Sequence, residues 1–398
     1  MTRKRILFVA EAVTLAQVVR LRVLAASLDP ARYDVHFASS TFDPLVFAGT
    51  HFTRWHIASL TPHQVERAVA RGSRIYSAAT LSSYVDAELG LFDRVRPDLV
   101  VGDLRWSLAV SAPHAGVPLA SLINAYWSPF AQRDGFPMPD HPVLRLLAEA
   151  TAERYFPRAL PWVFQLFARP LNVVRRRYGL PPLGDLLELL TYGDYTVHPD
   201  VSELTPLRGA PHSHVFLGPV LWSAAVACPA LAQLGGKRPL VYVTLGSSGH
   251  LAALNAVLDG LGALDVDVLL ATAGRVRPMN LPANVHVADF VPGDEAARRA
   301  SLVVCNGGST TAYQALAAGT PVLGVAFNFD QHLAMQAIDR YGAGVRLRAT
   351  TLEPAQVRNA ATHMLASTSF RARAASLRDC FATYDYRKTF ASLVSAAT

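Results

Sequence analysis

The chain has 398 residues, 51% hydrophobic and 17% charged, which is too long for one ordinary core, enough for two domains, and too apolar for a disordered chain. Its 37 Lys and Arg against 30 Asp and Glu leave a formal charge of +7. This suits an anionic small ligand or membrane surface, and without a nucleic-acid motif or a run of five like charges no nucleic-acid partner is expected.

Three scattered cysteines, Cys228, Cys305 and Cys380, form no CxxC pair, so neither a disulfide framework nor a metal site is expected and a reducing cytoplasm fits. The apolar run Ile6–Ala10 stops at Glu11, too soon for a signal-peptide core, and no run reaches the ~18 residues of a spanning helix.

Strand and helix patterns alternate from the start. Arg5–Ala10 reads as a buried parallel strand, Leu15–Leu28 as a helix, Asp34–Ala38 as a strand. Asp98–Gly102 is a strand, Ser107–Ala115 a helix and Val117–Ile123 a strand. The pattern restarts later: strand Pro239–Leu245, helix His250–Leu261, strand Val266–Thr272, strand Asn284–Val287, helix Glu295–Ala300, strand Leu302–Cys305, helix Thr310–Ala318 and strand Pro321–Val325. Ser369–Leu393 closes the chain as helix. The fold class is therefore α/β, with two Rossmann-like, doubly wound parallel-sheet domains expected to face a cleft. The Pro- and Gly-rich, aperiodic stretch after Thr205 places a linker at 213–236, between domains at 1–212 and 237–375, and the helix of 376–398 is expected to pack back on the first.

Three turns at strand ends could carry chemistry. Strand Leu302–Cys305 runs into Asn306-Gly307-Gly308 and then Ser309-Thr310-Thr311 at a helix start. This reads either as a cradle in which free N–H groups and the helix dipole hold a diphosphate, or as an ordinary N-cap and tight turn. Gly246-Ser247-Ser248-Gly249-His250 follows another strand and is open to the same two readings. Asp330-Gln331 offers acceptors and donors matched to sugar hydroxyls, or a helix cap. None of the turns matches GxGxxG or the P-loop, which disfavours nicotinamide, flavin and ATP chemistry. Asp265-Val-Asp267 precedes a strand and reads as a chance match to a metal motif.

In this order and spacing, Asn306–Thr311, Gly319-Thr320-Pro321 and Asp330-Gln331 resemble the donor domain of GT-B fold nucleotide-sugar glycosyltransferases of family one, which includes macrolide glycosyltransferases and rhamnosyltransferases. The resemblance spans nearly the whole chain and is strong from about 285 to 345. It implies diphosphate binding by Gly246, Ser247, Ser248 and Asn306–Thr311. It also implies nucleoside binding by Phe290, Val291 and Gln314, and sugar binding by Asp330 and Gln331. The expected reaction moves a sugar from a UDP- or dTDP-sugar to a small apolar or lipid-like acceptor, with inversion and no metal or cofactor. The family's phosphate-reaching histidine is Asn306 here, its third glycine is Thr310, and its ribose-holding glutamate is Gln314.

The family's catalytic histidine position holds Gln17, which cannot be a base at neutral pH. Two carboxylates at strand ends could replace it: Asp103, which keeps the position of the family aspartate, and Glu11. Each could instead be a structural ion-pair partner, Glu11 with Arg20 and Asp103 with Arg105. Gln17, Tyr126 and Trp127 are acceptor-wall candidates. Between Glu153 and Gly179, arginines interleave with Tyr155, Trp162, Phe164, Leu166 and Phe167. That mixture suits an interfacial helix on the inner face of an anionic membrane, an apolar acceptor pocket, or a helix with a solvated basic face. A non-catalytic nucleotide-sugar-binding protein is the rival reading, favoured by Gln17 and Asn306.

Overall fold

The computed structural model describes residues 3–138, 149–245, 251–274 and 279–398. The chain divides into two compact units. One takes residues up to Val220, apart from a short stretch around Phe136, together with the C-terminal Tyr384–Thr398; the other runs from Leu221 to Thr383.

Among the described residues, the first unit holds strands β1 (Lys4–Ala10), β2 (Tyr33–Ser39), β3 (Thr53–His56), β4 (Leu99–Asp103), β5 (Leu119–Leu122), β6 (Tyr195–His198) and β7 (His214–Phe216), in spatial order 3-2-1-4-5-6-7. Every pairing is parallel. Such strands lie between helical layers and must be apolar on both faces; Ile6 to Ala10 and Leu99 to Val101 are all fully buried. Phe8 stacks on Phe37, centroids 6.2 Å apart, and also meets Phe390 of the last helix at 6.1 Å. That contact ties the C-terminus to the first unit.

The second unit holds β8 (Leu240–Thr244), β9 (Asp267–Ala271), β10 (Val285–Ala288), β11 (Leu302–Cys305), β12 (Val322–Ala326) and β13 (Gly344–Arg348), in order 10-9-8-11-12-13, again all parallel. One face packs Val241, Val243, Leu270 and Val304 against Leu254, Val257, Leu258 and Leu261 of helix Leu254–Gly262 and Val357 of helix Pro354–Ala366. In Asp265-Val-Asp267, Asp267 pairs with Arg238 at 2.5 Å.

In both sheets the order reverses beside the founding strand, between β1 and β4 in one and between β8 and β11 in the other. Ligands of open α/β sheets bind outside the carboxyl ends of strands at such a reversal. Glu11 follows β1, and Asp103 ends β4 opposite Ala10. Asn306 follows β11, whose Cys305 lies opposite Thr244 at the end of β8.

Several elements differ from the sequence expectation. The stretch read as linker contains edge strand β7 and the short helix Pro229–Gln233, too brief for a periodicity to show. The long terminal helix is two, Thr368–Ala382 and Tyr386–Ala397. Asp385 caps the second by accepting from the backbone N–H of Arg387 and Lys388 at 3.1 Å each. The same interruption is where the chain returns to the first unit.

Candidate active site

The turn expected to hold the donor diphosphate is built from glycine. β11 ends at Cys305, Gly307 takes φ +77°, and Gly308 is the N-cap of helix Ser309–Ala317, bringing no side-chain cap. The turn is fixed by two short-range bonds: Gly307 N–H donates to Cys305 Sγ at 3.3 Å, and Gly308 N–H to Asn306 Oδ1 at 3.0 Å. A glycine cap brings no side-chain acceptor of its own to the first helical turn, whose N–H groups and positive dipole end suit an anion. Ser309 is buried, while Thr310 and Thr311 are half-buried. Burial pushes the Cys305 thiol up to about 12, so it is a neutral packing group and not a nucleophile.

Gly307 is demanded twice. Its φ is left-handed, and a Cβ there would meet Met335 Cγ at 2.6 Å. A Gly307→Ala variant is expected to lose about 2 kcal/mol of stability from left-handed strain and overpacking. Its nucleotide diphosphate affinity should fall as well. Urea unfolding and calorimetry read the two effects, and an unchanged midpoint would show that the turn relaxes freely.

The other described residues expected on the donor side lie past the carboxyl ends of β10, β11 and β12. Phe290 is half exposed and Val291 buried. Gln314 packs against Gly293, where a Cβ would stand 2.5 Å from its Oε1, and its Nε2 donates to Trp222 O at 3.2 Å. Gln331 is buried in a capping box. Its Oε1 accepts from Phe327 N–H at 2.9 Å, and its own N–H donates to Asn328 Oδ1 at 3.0 Å. The cap of helix Phe329–Tyr341 is thus Asn328, not Asp330, and the Gln331 carbonyl is committed to backbone. Asp330 is half-buried in the first turn. Gly246, Ser247, Ser248 and His250 lie outside the described residues.

In the first unit, the two carboxylates at the β1–β4 reversal belong to different buried networks, and the pairings are the reverse of those expected. Arg20 clamps Asp103: Nε donates to Oδ2 at 3.0 Å and Nη2 to Oδ1 at 2.9 Å. Arg20 Nη1 also donates to Asn124 Oδ1 at 2.7 Å, and Asn124 Nδ2 to Asp200 Oδ1 at 2.9 Å. Arg105 takes Glu11 instead, Nη1 to Oε2 at 3.0 Å, and holds Glu88 more tightly, Nε to Oε1 at 2.6 Å. Leu104, between Asp103 and Arg105, has φ 53°. This left-handed kink costs about 1–2 kcal/mol for an L side chain and reverses the chain at the strand end, where residues only two apart engage different partners.

Glu11 is held loosely on its other oxygen. Oε1 accepts from Leu60 N–H at 3.3 Å and Tyr84 Oη–H at 3.4 Å. Loss of water raises its carboxyl from 4.5 to about 7, against the pull of the Arg105 charge. Burial, with Glu11 nearby, likewise raises the Tyr76 and Tyr84 phenols, which stay neutral. Burial by itself would lower the Arg105 guanidinium, but Glu88 and Glu11 more than offset it and the cation persists. Its face lies 3.7 Å over the Tyr84 ring. Burial lowers His198 to about 4, so that histidine is neutral and poor as a base at pH 7.

Gln17 is buried, its Oε1 accepting from Thr14 N–H at 3.0 Å. Tyr126 and Trp127 sit buried in a short 3-10 turn after β5. Glu88 was not legible as a functional residue. Its signal was there: Leu81, Tyr84, Val85, Glu88, Leu91 and Phe92 share the buried face of helix Ala78–Val95, and an acid at a core spacing calls for a buried partner.

Residues 255–385 match the family model described as Erythromycin biosynthesis protein CIII-like, C-terminal domain. The chain is similar, with 99% of each chain covered, TM-score 0.69 and 19% identity, to the solved spinosyn rhamnosyltransferase SpnG complexed with thymidine diphosphate. Fold and likeness together define a glycosyltransferase of the GT-B fold.

The chain is 48% identical over 386 residues to a PGL/p-HBAD biosynthesis rhamnosyltransferase of Mycobacterium bovis (strain BCG / Pasteur 1173P2), covering 95% of this chain and 84% of the relative. It therefore belongs to the PGL/p-HBAD biosynthesis glycosyltransferase family. A relative from the same strain, 44% identical over 262 residues (65% of this chain, 71% of the relative), is described as an inactive PGL/p-HBAD biosynthesis glycosyltransferase. Among the described residues no helix is long and apolar enough to cross a membrane.

Proposed function

We propose that the protein transfers rhamnose or a related deoxyhexose from a dTDP- or UDP-sugar to a hydroxyl of an apolar, lipid-like acceptor, with inversion. The observation that supports this is the glycine-capped helix at the β8–β11 reversal, whose N-terminal N–H groups and positive dipole end suit a diphosphate. In the reaction the bond from the anomeric carbon to the diphosphate oxygen breaks. A bond to the acceptor oxygen forms, and the acceptor proton passes to a carboxylate of the first unit. The helix N-terminus and the hydroxyls of Ser309, Thr310 and Thr311 take up the charge left on the diphosphate, a task a metal performs in other transferases. Phe290, Val291 and Gln314 face the nucleoside, Asp330 and Gln331 the sugar, and Tyr126 and Trp127 wall the acceptor. The sugar follows the relatives' name, and the thymidine nucleotide follows the ligand of the structural neighbour.

Glu11 is the better base. One guanidinium holds both Asp103 oxygens, at 3.0 and 2.9 Å, whereas Leu60 N–H and Tyr84 Oη–H reach Glu11 Oε1 at 3.3 and 3.4 Å, long contacts that an acceptor hydroxyl could replace. A carboxyl poised near pH 7 also matches what a general base requires.

The test is turnover of dTDP-rhamnose and UDP-rhamnose with alkylphenol acceptors, in magnesium and in EDTA. Transfer is expected, undiminished by EDTA. Nucleotide binding without any transfer would favour the non-catalytic reading, and loss of turnover in EDTA would place a metal on the leaving group.

A further inference from the structure

The helix Glu149–Arg177 has two unlike faces. One is buried in the first unit: Leu160, Phe164, Ala168, Leu171 and Val174 are at most 5% exposed. The opposite face is apolar and open, with Trp162 73%, Tyr155 54% and Leu166 52% exposed. Arg158, Arg169 and Arg176 are exposed on the same side. At 3.6 residues per turn, Tyr155, Arg158, Trp162, Leu166, Arg169 and Arg176 fall in one stripe about 80° wide and about 32 Å long, centred opposite the buried face. From residue 154 to 177 the sequence has no Asp or Glu.

We propose that this stripe docks on an anionic lipid bilayer surface, with Tyr155, Trp162 and Leu166 entering the headgroup region and the arginines pairing with lipid phosphates. Tryptophan and tyrosine favour that boundary because their rings are apolar at one end and polar at the other. A helix with a large apolar face and cations of one sign lies in the interface plane instead of crossing it. A second copy of this chain fits the face less well. An isologous contact would set arginines against arginines, and the cores of protein interfaces are depleted of charge. The proposal does not depend on the transferase reading, because it uses none of the residues assigned to donor, acceptor or proton transfer.

The full chain is to be sedimented with vesicles of phosphatidylcholine alone and with 30% phosphatidylglycerol. Binding is expected only with the anionic lipid, with release by 0.5 M salt as surface charges are screened. Replacing Arg158, Arg169 and Arg176 by Gln is expected to weaken partitioning about 100-fold, at roughly 1 kcal/mol per charge. Trp162→Ser with Leu166→Ser should weaken it roughly tenfold or more. Circular-dichroism melting confirms that the variants are folded, and the salt release of the unaltered protein requires no variant. Equal binding to both vesicles, or variants that bind as the parent does, overturns the proposal. So does a dimer in sedimentation equilibrium that the serine variant converts to monomer, since the face would then be a contact between copies.

Discussion

Glu11→Gln is expected to lower turnover by about 10²–10⁴-fold, the usual contribution of a general base, while leaving the fold intact. Glutamine keeps the shape, and its single carbonyl oxygen can still accept on one side, from Arg105 or from Leu60 and Tyr84. The pH dependence sharpens the test. Turnover of the parent should rise as pH climbs through about 7, because only the carboxylate can take a proton. Stability should move the other way. The folded state holds a proton that the unfolded chain releases near 4.5, so the contribution is full below 4.5 and lost as pH rises to about 7. That loss is on the order of 3 kcal/mol.

In the Gln variant both trends should disappear. Rate profiles and urea midpoints at pH 5 and 8 read them separately. Asp103→Asn should differ in kind: it breaks the bidentate bond to buried Arg20 and should cost stability at every pH where Asp103 is ionised. Full turnover in Glu11→Gln would remove Glu11 from the reaction, and Asp103 would become the candidate again.

Much of this was legible beforehand, and what was missed has a common physical origin. Strand patterns at Ile6–Ala10, Leu99–Val101 and Leu302–Cys305 had to be apolar on both faces, so they and the turns that follow could be read directly. The glycine turn at Asn306–Gly308 announced itself because only glycine accepts φ +77° beneath Met335 without strain. Pairings were not legible. Arg20 meets Asp103 across 83 positions and Arg105 meets Glu11 across 94, and sequence proximity wrongly favoured Arg105 for Asp103. The left-handed Leu104 is what separates those neighbours, and nothing in the residue itself foretells it. Gln331 has the residue type of a sugar ligand and the spacing of a capping box. The structure shows the second use, while the first rests on family resemblance.

Arg105→Leu is expected to be the most damaging single change in the first unit, costing about 3–5 kcal/mol, because it leaves buried charge unpaired. Arg105 is the shared cation of Glu11 and Glu88, and its side chain and both partners' are at most 1% exposed. Glu11 can escape by holding its proton, since its carboxyl already sits near 7. Glu88 is also held by Ser111 Oγ at 2.6 Å from Oε2 and Ser107 Oγ at 2.5 Å from Oε1, so it stays fixed in the place that Arg105 leaves. Glu88→Gln in the Arg105→Leu background should therefore recover part of the loss. A double-mutant cycle by urea unfolding measures the coupling. Recovery with stability but not turnover would separate support of the fold from orientation of Glu11. If the single Arg105→Leu variant unfolds at the parent's urea midpoint, the three groups are not the interdependent charge cluster that their distances describe.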